Sequence, residues 1–163
     1  MIFFTADLHL GHGNIIKYCN RPFNNVDEMD QTLIKNWNET VSDNDVVYIL
    51  GDFCFKKYGY YIRQFNGHII ELQGDHDNFK NNNFLMNIKV GHTSITLCHW
   101  CMRVWRKSHY NSWHLYGHSH GNLSPIGKSW DVGVDNNDFR PLSFNDIEKI
   151  MSCRPDNPNL VKK

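Results

Sequence analysis

Five short stretches of this 163-residue chain carry aspartates and histidines directly after apolar runs: Asp7-Leu8-His9, Gly51-Asp52, Gly74-Asp75-His76-Asp77, His99, and Gly117-His118-Ser119-His120. Carboxylates and imidazoles are the donors that borderline divalent metals take as ligands. The runs before them are β-like, for example residues 2–6 before the first stretch and 46–50 before the second. Five strand ends could therefore converge on one metal site. A single His or Asp after a strand is more often a surface or capping residue, so His9 alone would mean little. Five blocks together reverse that expectation.

The elements that must position these residues alternate along the chain. After a strand over 2–6 comes a loop with Gly11 and Gly13, then a short helix that the Asn14 amide can cap. Residues 26–41 read as a longer helix with Asn25 as its cap, because Met29, Leu33, Trp37 and Val41 recur every fourth position as one apolar stripe. A strand over 46–50, a helix over 56–65 and a strand over 68–72 follow. Residues 86–90 and 93–98 flank Gly91-His92, which signals a hairpin. Short strands over 115–116 and 130–134 and a helix capped by Ser143 and ending at Met151 complete the set. Strands that precede helices argue for parallel pairing and the hairpin requires antiparallel pairing, so the expected class is α/β with mixed sheets. In open α/β sheets ligands gather outside the carboxyl ends of the strands, where the five blocks fall.

Composition bounds the rest. With 40% hydrophobic and 21% charged residues, the chain can bury one core, and a single domain over 1–153 is expected. Residues 154–163, with Pro155 and Pro158, read as a flexible tail. Seventeen basic residues balance seventeen acidic ones, so no global charge draws the chain to a membrane or to stable duplex nucleic acid. No apolar run reaches the length of a membrane span, and the start lacks the charged region of an export signal. Five cysteines suit a reducing, cytoplasmic setting. Cys98-His99-Trp100-Cys101 matches C-x-x-C, but no second pair completes a zinc site, and Cys98 reads as a small buried hydrophobe.

The order of the five blocks and their glycines resembles the calcineurin-like metallophosphoesterase superfamily, whose pattern runs D-x-H, G-D, G-N-H-D, a single H, then G-H-x-H. All five blocks are present from Asp7 to His120, and the likeness extends to the strand-like Trp130-Asp131-Val132-Gly133-Val134-Asp135. The segments 14–23 and 113–121 resemble a small single-domain bacterial and phage branch. The resemblance implies a four-layer α-β-β-α sandwich and a phosphoesterase with two divalent ions, Mn foremost and Ni, Fe, Zn or Mg as alternatives. Block by block, it implies that Asp7, His9 and His120 hold one ion, that Asp75, His99 and His118 hold the other, and that Asp52 bridges them. A hydroxide bridging the ions would attack the ester. His76 would donate to the phosphoryl group or the leaving oxygen, with Asp77 orienting it. One position departs from the pattern: the family's Asn is Asp75 here, which adds negative charge at the second ion.

Small phosphodiesters, such as cyclic or short nucleotides, are the expected substrates, because the chain lacks length for a docking domain. A phosphomonoesterase or protein phosphatase, or a non-catalytic metal-binding interaction module on the same fold, are the alternatives. The sequence leaves the oligomeric state open. Arg21, in the Asn20-Arg21-Pro22 turn, offers a guanidinium fork that matches phosphate, with a surface salt bridge as the plainer role. The segment 100–113, with Arg103 and Trp105, could stack a base and steer its phosphate, or simply supply core aromatics. His12, His68, His92, His109 and His114 match no block and read as ordinary histidines, although His12 and His114 adjoin the site blocks.

Overall fold

Side-chain alternation along β1 (Ile2–Thr5) divides the core in two. Phe3 turns to one side, where it packs with Val47, Ile49, Met29, Leu33 and Trp37. Phe4 turns to the other, where it meets Leu50, Leu72, Ile95, Leu97 and Leu115. A strand buried on both faces in this way needs a layer on each side, and the computed structural model, which describes residues 1–77 and 83–161, supplies both.

The layer on the Phe3 side is helical: α1 (Gly13–Tyr18) and α2 (Val26–Thr40). Asn25 caps α2 as expected, its side chain accepting from the Glu28 amide at 2.9 Å, and Asp27 and Glu28 sit in the first turn, where the helix dipole favours them. Met29, Leu33 and Trp37 on the apolar stripe are buried, each worth about 1.5–3 kcal/mol of transfer free energy. β1 also belongs to a sheet with β2 (Val46–Leu50), β3 (His68–Leu72) and β8 (Leu142–Ser143), in the order β3-β2-β1-β8. Its first three strands run parallel, and β8 pairs antiparallel to β1.

The second sheet joins β4 (Leu85–Val90), β5 (Thr93–Cys98), β6 (Trp113–Tyr116) and β7 (Ser129–Asp131) in that order. β4 and β5 form the hairpin expected at Gly91-His92, and β6 and β7 extend it in parallel. Helix α4 (Phe144–Cys153) starts in a capping box between Ser143 and Asp146 and sends Ile147 and Met151 into the core between the sheets. The result is the mixed α/β sandwich expected of a metallophosphoesterase-like chain.

Several expectations need correction. The helix expected over 56–65 shrinks to α3 (Tyr58–Tyr61) and a 3-10 turn at Ile62–Gln64, because Lys57 adopts a left-handed backbone (φ 58°) that no helix can run through. Asn14 does not cap α1; His12 holds the cap position and makes no side-chain bond there. The strand expected over 130–134 ends at Asp131, after which Gly133 bridges to Ala6. β8 went unforeseen, since two residues carry no periodicity. Residues 154–161, expected as a flexible tail, are tied down: Asn157 donates to the Ser108 and Ser112 carbonyls at 3.0 and 2.9 Å, and Val161 donates to the His109 carbonyl.

Candidate metal centre

Five strands deliver the acidic and histidine blocks to one end of the sandwich. β1 leads into Asp7 and His9, β2 into Asp52, β3 into Asp75 and His76, β5 into His99, and β6 into His118 and His120. Asp7, His9, Asp52, His118 and His120 all have positive φ, five of the eleven non-glycine residues that do so among the described residues. Left-handed backbone costs about 1–2 kcal/mol per residue, so its concentration here marks a site where geometry outranks local comfort. Two glycines make the crowding tolerable. A Cβ at Gly51 would stand 2.6 Å from His99 Nδ1, and one at Gly133 would stand 2.7 Å from Asp7 Oδ2.

The ligand-type atoms gather into two triads. Donor atoms of Asp7, His9 and His120 lie within 4.8 Å of one another, and so do those of Asp75, His99 and His118. Asp52 stands between them, its Oδ2 3.4 Å from His9 Nε2 and 3.5 Å from His99 Nε2, and it forms a further group with Asp7 and His99. Each triad takes side chains from both sheets.

Loop bonds fix these side chains. Asp7 Oδ2 accepts from the His118 amide and Asp52 Oδ1 from the His76 amide, both at 2.8 Å. His99 Nδ1 faces the Leu50 carbonyl at 2.8 Å, so that nitrogen carries the proton and Nε2 presents its lone pair. His120 Nδ1 likewise faces Asp135 Oδ2 at 2.7 Å.

Electrostatics make the pocket expensive without a cation. Burial, reinforced by the charges of Asp131 and Asp52, pushes the Asp7 carboxyl well above the usual carboxylate range. Burial, reinforced by His120, pushes His9 down to about 2, which leaves a neutral imidazole with a free lone pair. Asp7 Oδ1, His9 Nε2 and His99 Nε2 are buried with no hydrogen-bond partner. Such orphaned atoms cost about 1–3 kcal/mol each, and divalent cations, one against Asp7 and His9 and one against His99, would satisfy them. The donor set of imidazoles and carboxylates fits one.

All seven ligand candidates thus come together. His76 lies exposed at the mouth, its ring 5.4 Å from that of His9. Asp77 is placed differently from expectation: its buried carboxylate accepts from the amides of Asp52, Phe53 and Gly74 at 2.8–2.9 Å, so it holds two ligand loops and not the His76 ring. Asp75 is 44% exposed in its side chain, 3.3 Å from His118 Nδ1, and accepts from the Trp100 indole at 3.1 Å.

The three substrate-binding candidates lie elsewhere. Arg21 is buried, and its donors are used within the protein: two reach Asp135, one the Asp7 carbonyl and one the Leu8 carbonyl. Trp105 is buried against His114, its indole donating to the Ser112 carbonyl. Arg103 is exposed and lines a groove with Trp105 and Ile126, outside both triads. Cys98 and Cys101 are free thiols that burial pushes above the usual range, consistent with a packing role.

Two carboxylates escaped the residue-type reading. Asp131 accepts from the Ser119 hydroxyl and the Gly121 and Gly133 amides, and so folds the loop that carries His118 and His120. Burial raises the Asp135 pKa, but the bonds from His120 and Arg21 outweigh it and leave this carboxyl below its ordinary value. Their position two residues to either side of Gly133, just past a strand, was the available cue.

No family model matches the chain. The uncharacterized protein MJ1445 of Methanocaldococcus jannaschii is 36% identical over 170 residues, which cover 92% of this chain and 90% of that protein. The Gene 66 protein of Mycobacterium phage L5 is 45% identical over 49 residues, 30% of this chain and 23% of that protein. Among solved structures, the protein of unknown function AQ665 from Aquifex aeolicus shares the fold, with a TM-score of 0.73 at 22% identity over 92% of this chain and 98% of that one. The chain therefore belongs to one family with MJ1445, and its five ligand blocks, in the order that resembles the calcineurin-like metallophosphoesterase pattern, converge between two mixed sheets.

Proposed function

We propose that the protein is a dinuclear metal-dependent phosphoesterase acting on small phosphodiesters, with cyclic or short nucleotides foremost. The supporting observation is the pair of triads flanking Asp52, with three buried ligand atoms left unpartnered among them. Seven ligand side chains exceed what one ion needs once positions stay open for water and substrate. In this reading Asp7, His9 and His120 would hold one ion and Asp75, His99 and His118 the second, with Asp52 placed to serve both. Mn suits this mixed nitrogen and oxygen donor set, with Ni, Fe, Zn or Mg as alternatives.

Ions held there would supply charge neutralisation for phosphoryl oxygens and a water acidified toward neutral pH. The chain's own residues supply orientation and proton transfer. Leu50 and Asp135 fix the tautomers of His99 and His120. His76 stands exposed at the mouth, its ring 5.4 Å from that of His9, and would donate a proton to the departing oxygen. Asp77 keeps the Asp52 and Gly74 loops at the spacing the triads require. Free cysteines and the absence of any described helix long and apolar enough to cross a membrane accord with work in the cytoplasm.

Hydrolysis of bis-p-nitrophenyl phosphate and p-nitrophenyl phosphate, with Mn²⁺, Ni²⁺, Mg²⁺ or chelator and with elemental analysis, tests the reading. The expected result is two ions per chain and Mn²⁺-dependent turnover that favours the diester and stops with chelator. A single ion at saturation would remove the bridging role of Asp52. Two ions with no turnover of either ester would favour a metal-binding interaction module, and monoester preference would favour a phosphomonoesterase.

A further inference from the structure

Charge is spread unevenly along a chain whose total is balanced. Residues 78–130 hold six Lys and Arg and no Asp or Glu, so the remainder holds eleven basic residues against all seventeen acidic ones. The acid-free stretch spans β4, β5, β6 and the start of β7, together with the long 99–112 connection. One sheet of the sandwich is cationic and the rest of the protein anionic.

Three of these cations converge on the outer face of that sheet. Along β4 and β5, Ile88, Ile95 and Leu97 turn to the core between the sheets, while Lys89, Ser94 and Thr96 turn the other way. The 99–112 connection crosses back over this face and brings Arg106 and Lys107 beside them. The result is a groove of about 220 Å³ lined by Lys89, Arg106 and Lys107, floored by the Thr96 hydroxyl donating to Asn87 Oδ1 at 2.9 Å. It continues past Ser94 and Lys107 into a second groove of about 490 Å³ that reaches His92, Tyr110 and Asn111. This second groove lies at the start of β5 and β6, whereas the metal centre lies beyond their ends.

The backbone that carries these cations is braced. Lys107 and Asn111 take left-handed backbone (φ 60° and 63°) at either end of the Ser108–Tyr110 turn, which costs about 1–2 kcal/mol each. The Ser112 hydroxyl donates to the Arg106 carbonyl at 2.6 Å, and Asn157 holds the Ser108 and Ser112 carbonyls. Lys89, Arg106 and Lys107 are all exposed, and no ion pair engages any of them among the described residues. At the rim, Asp156 accepts from the Asn111 amide group at 2.6 Å. Tyr110 leans on His109, with ring centroids 4.2 Å apart, and is still 68% exposed. Cations set among hydroxyl and amide groups and ending at a wet ring match the phosphates, sugars and a base of a nucleic acid. Grooves of this size admit one strand and not a duplex.

We propose that this outer face binds a single nucleic-acid strand, with Lys89, Arg106 and Lys107 on its phosphates and Tyr110 against a base. Binding here is read without turnover, so it stands or falls independently of the phosphoesterase reading.

Fluorescence anisotropy of a labelled oligothymidylate of about twelve nucleotides, on the Mn²⁺-loaded protein, tests it. Three phosphate contacts give a slope of log K against log salt of about −2, so affinity should fall about twentyfold between about 50 and about 200 mM salt. Lys89→Gln, Arg106→Gln and Lys107→Asn should each weaken binding and flatten that slope by about 0.7. Asn is used at position 107 because it tolerates left-handed backbone. Tyr110→Ala should weaken binding about tenfold at an unchanged slope. The three charge removals combined should abolish binding, while Mn²⁺ affinity and the thermal midpoint do not fall. Retained binding by that triple variant overturns the proposal and places the strand at the metal centre. Poly-glutamate or phosphatidylserine vesicles bound as tightly as the oligonucleotide would also overturn it, by making the face a site for an acidic protein or a membrane. So would a wild type that fails to bind the strand at about 50 mM salt.

Discussion

His120 and Asp135 share a bond of 2.7 Å from Nδ1 to Oδ2, and it decides which nitrogen of His120 faces the metal pocket. The same carboxylate is gripped by Arg21 at 2.7 and 2.9 Å, so a buried guanidinium sets the angle of a candidate ligand. Such partners of ligating histidines typically change metal affinity about 10–100-fold. Asp135→Asn keeps one acceptor but strips the buried Arg21 guanidinium of its counter-charge, so it should lower stability as well as weaken the first ion about tenfold. Mn²⁺ titration by calorimetry checks this, and an unchanged first dissociation constant would take Asp135 out of the metal centre.

Asp75 puts a carboxylate where the superfamily pattern has an amide. An amide oxygen ligates without adding negative charge, so Asp75→Asn leaves the ions more Lewis-acidic toward water and substrate. Turnover at saturating Mn²⁺ should rise, and the second ion should bind more weakly. The Trp100 indole can still donate to an Asn oxygen at this position, so the loop should keep its shape. A variant that stays slower across the whole titration would mean that Asp75 is an adapted ligand.

His76→Ala should retain both ions, since the ring belongs to neither triad. General acids contribute about 10²–10⁴-fold, and the loss should be largest for alkyl leaving groups and small for nitrophenol. Metal counting alongside kinetics on a methyl diester checks it. Undiminished alkyl-ester turnover would end the role of His76 as proton donor.

His114 offers a pH test away from the metals. Burial pushes it down to about 4 from 6.5, and it is held between the Thr96 carbonyl and the Met102 amide. The folded protein therefore binds fewer protons here than the unfolded chain. Above pH 6.5 the residue exerts no pH effect on stability, and stability falls as pH drops from 6.5 toward 4. In His114→Gln, which can still donate to Thr96 and accept from Met102, this part of the fall should vanish. Urea midpoints over that pH range give the readout; equal slopes in both proteins would refute the assignment.

What could be read in the chain alone was what depends on residue type and local order. Asp7, His9, Asp52, Asp75, His99, His118 and His120 each follow an apolar run and each reach the centre. The α2 stripe and its Asn25 cap were equally plain, because a four-residue recurrence has one simple reading. Tertiary partnership was not legible. Arg21 looked like a phosphate fork, yet Asp135, 114 residues away, claims it. Trp105 looked like a stacking residue, yet its indole is satisfied seven residues on at Ser112. Residues 154–161 carry turn-forming prolines, which say nothing of the carbonyls that Asn157 would find.

Because each triad draws on both sheets, any ion it binds works as a rivet through the sandwich. Asp7 and His9 extend from one sheet and His120 from the other; Asp75 comes from the first and His99 and His118 from the second. Sliding of one sheet over the other would pull at least one ligand off each such ion, so a bound metal would add a polar fastening to the apolar core that already joins the sheets.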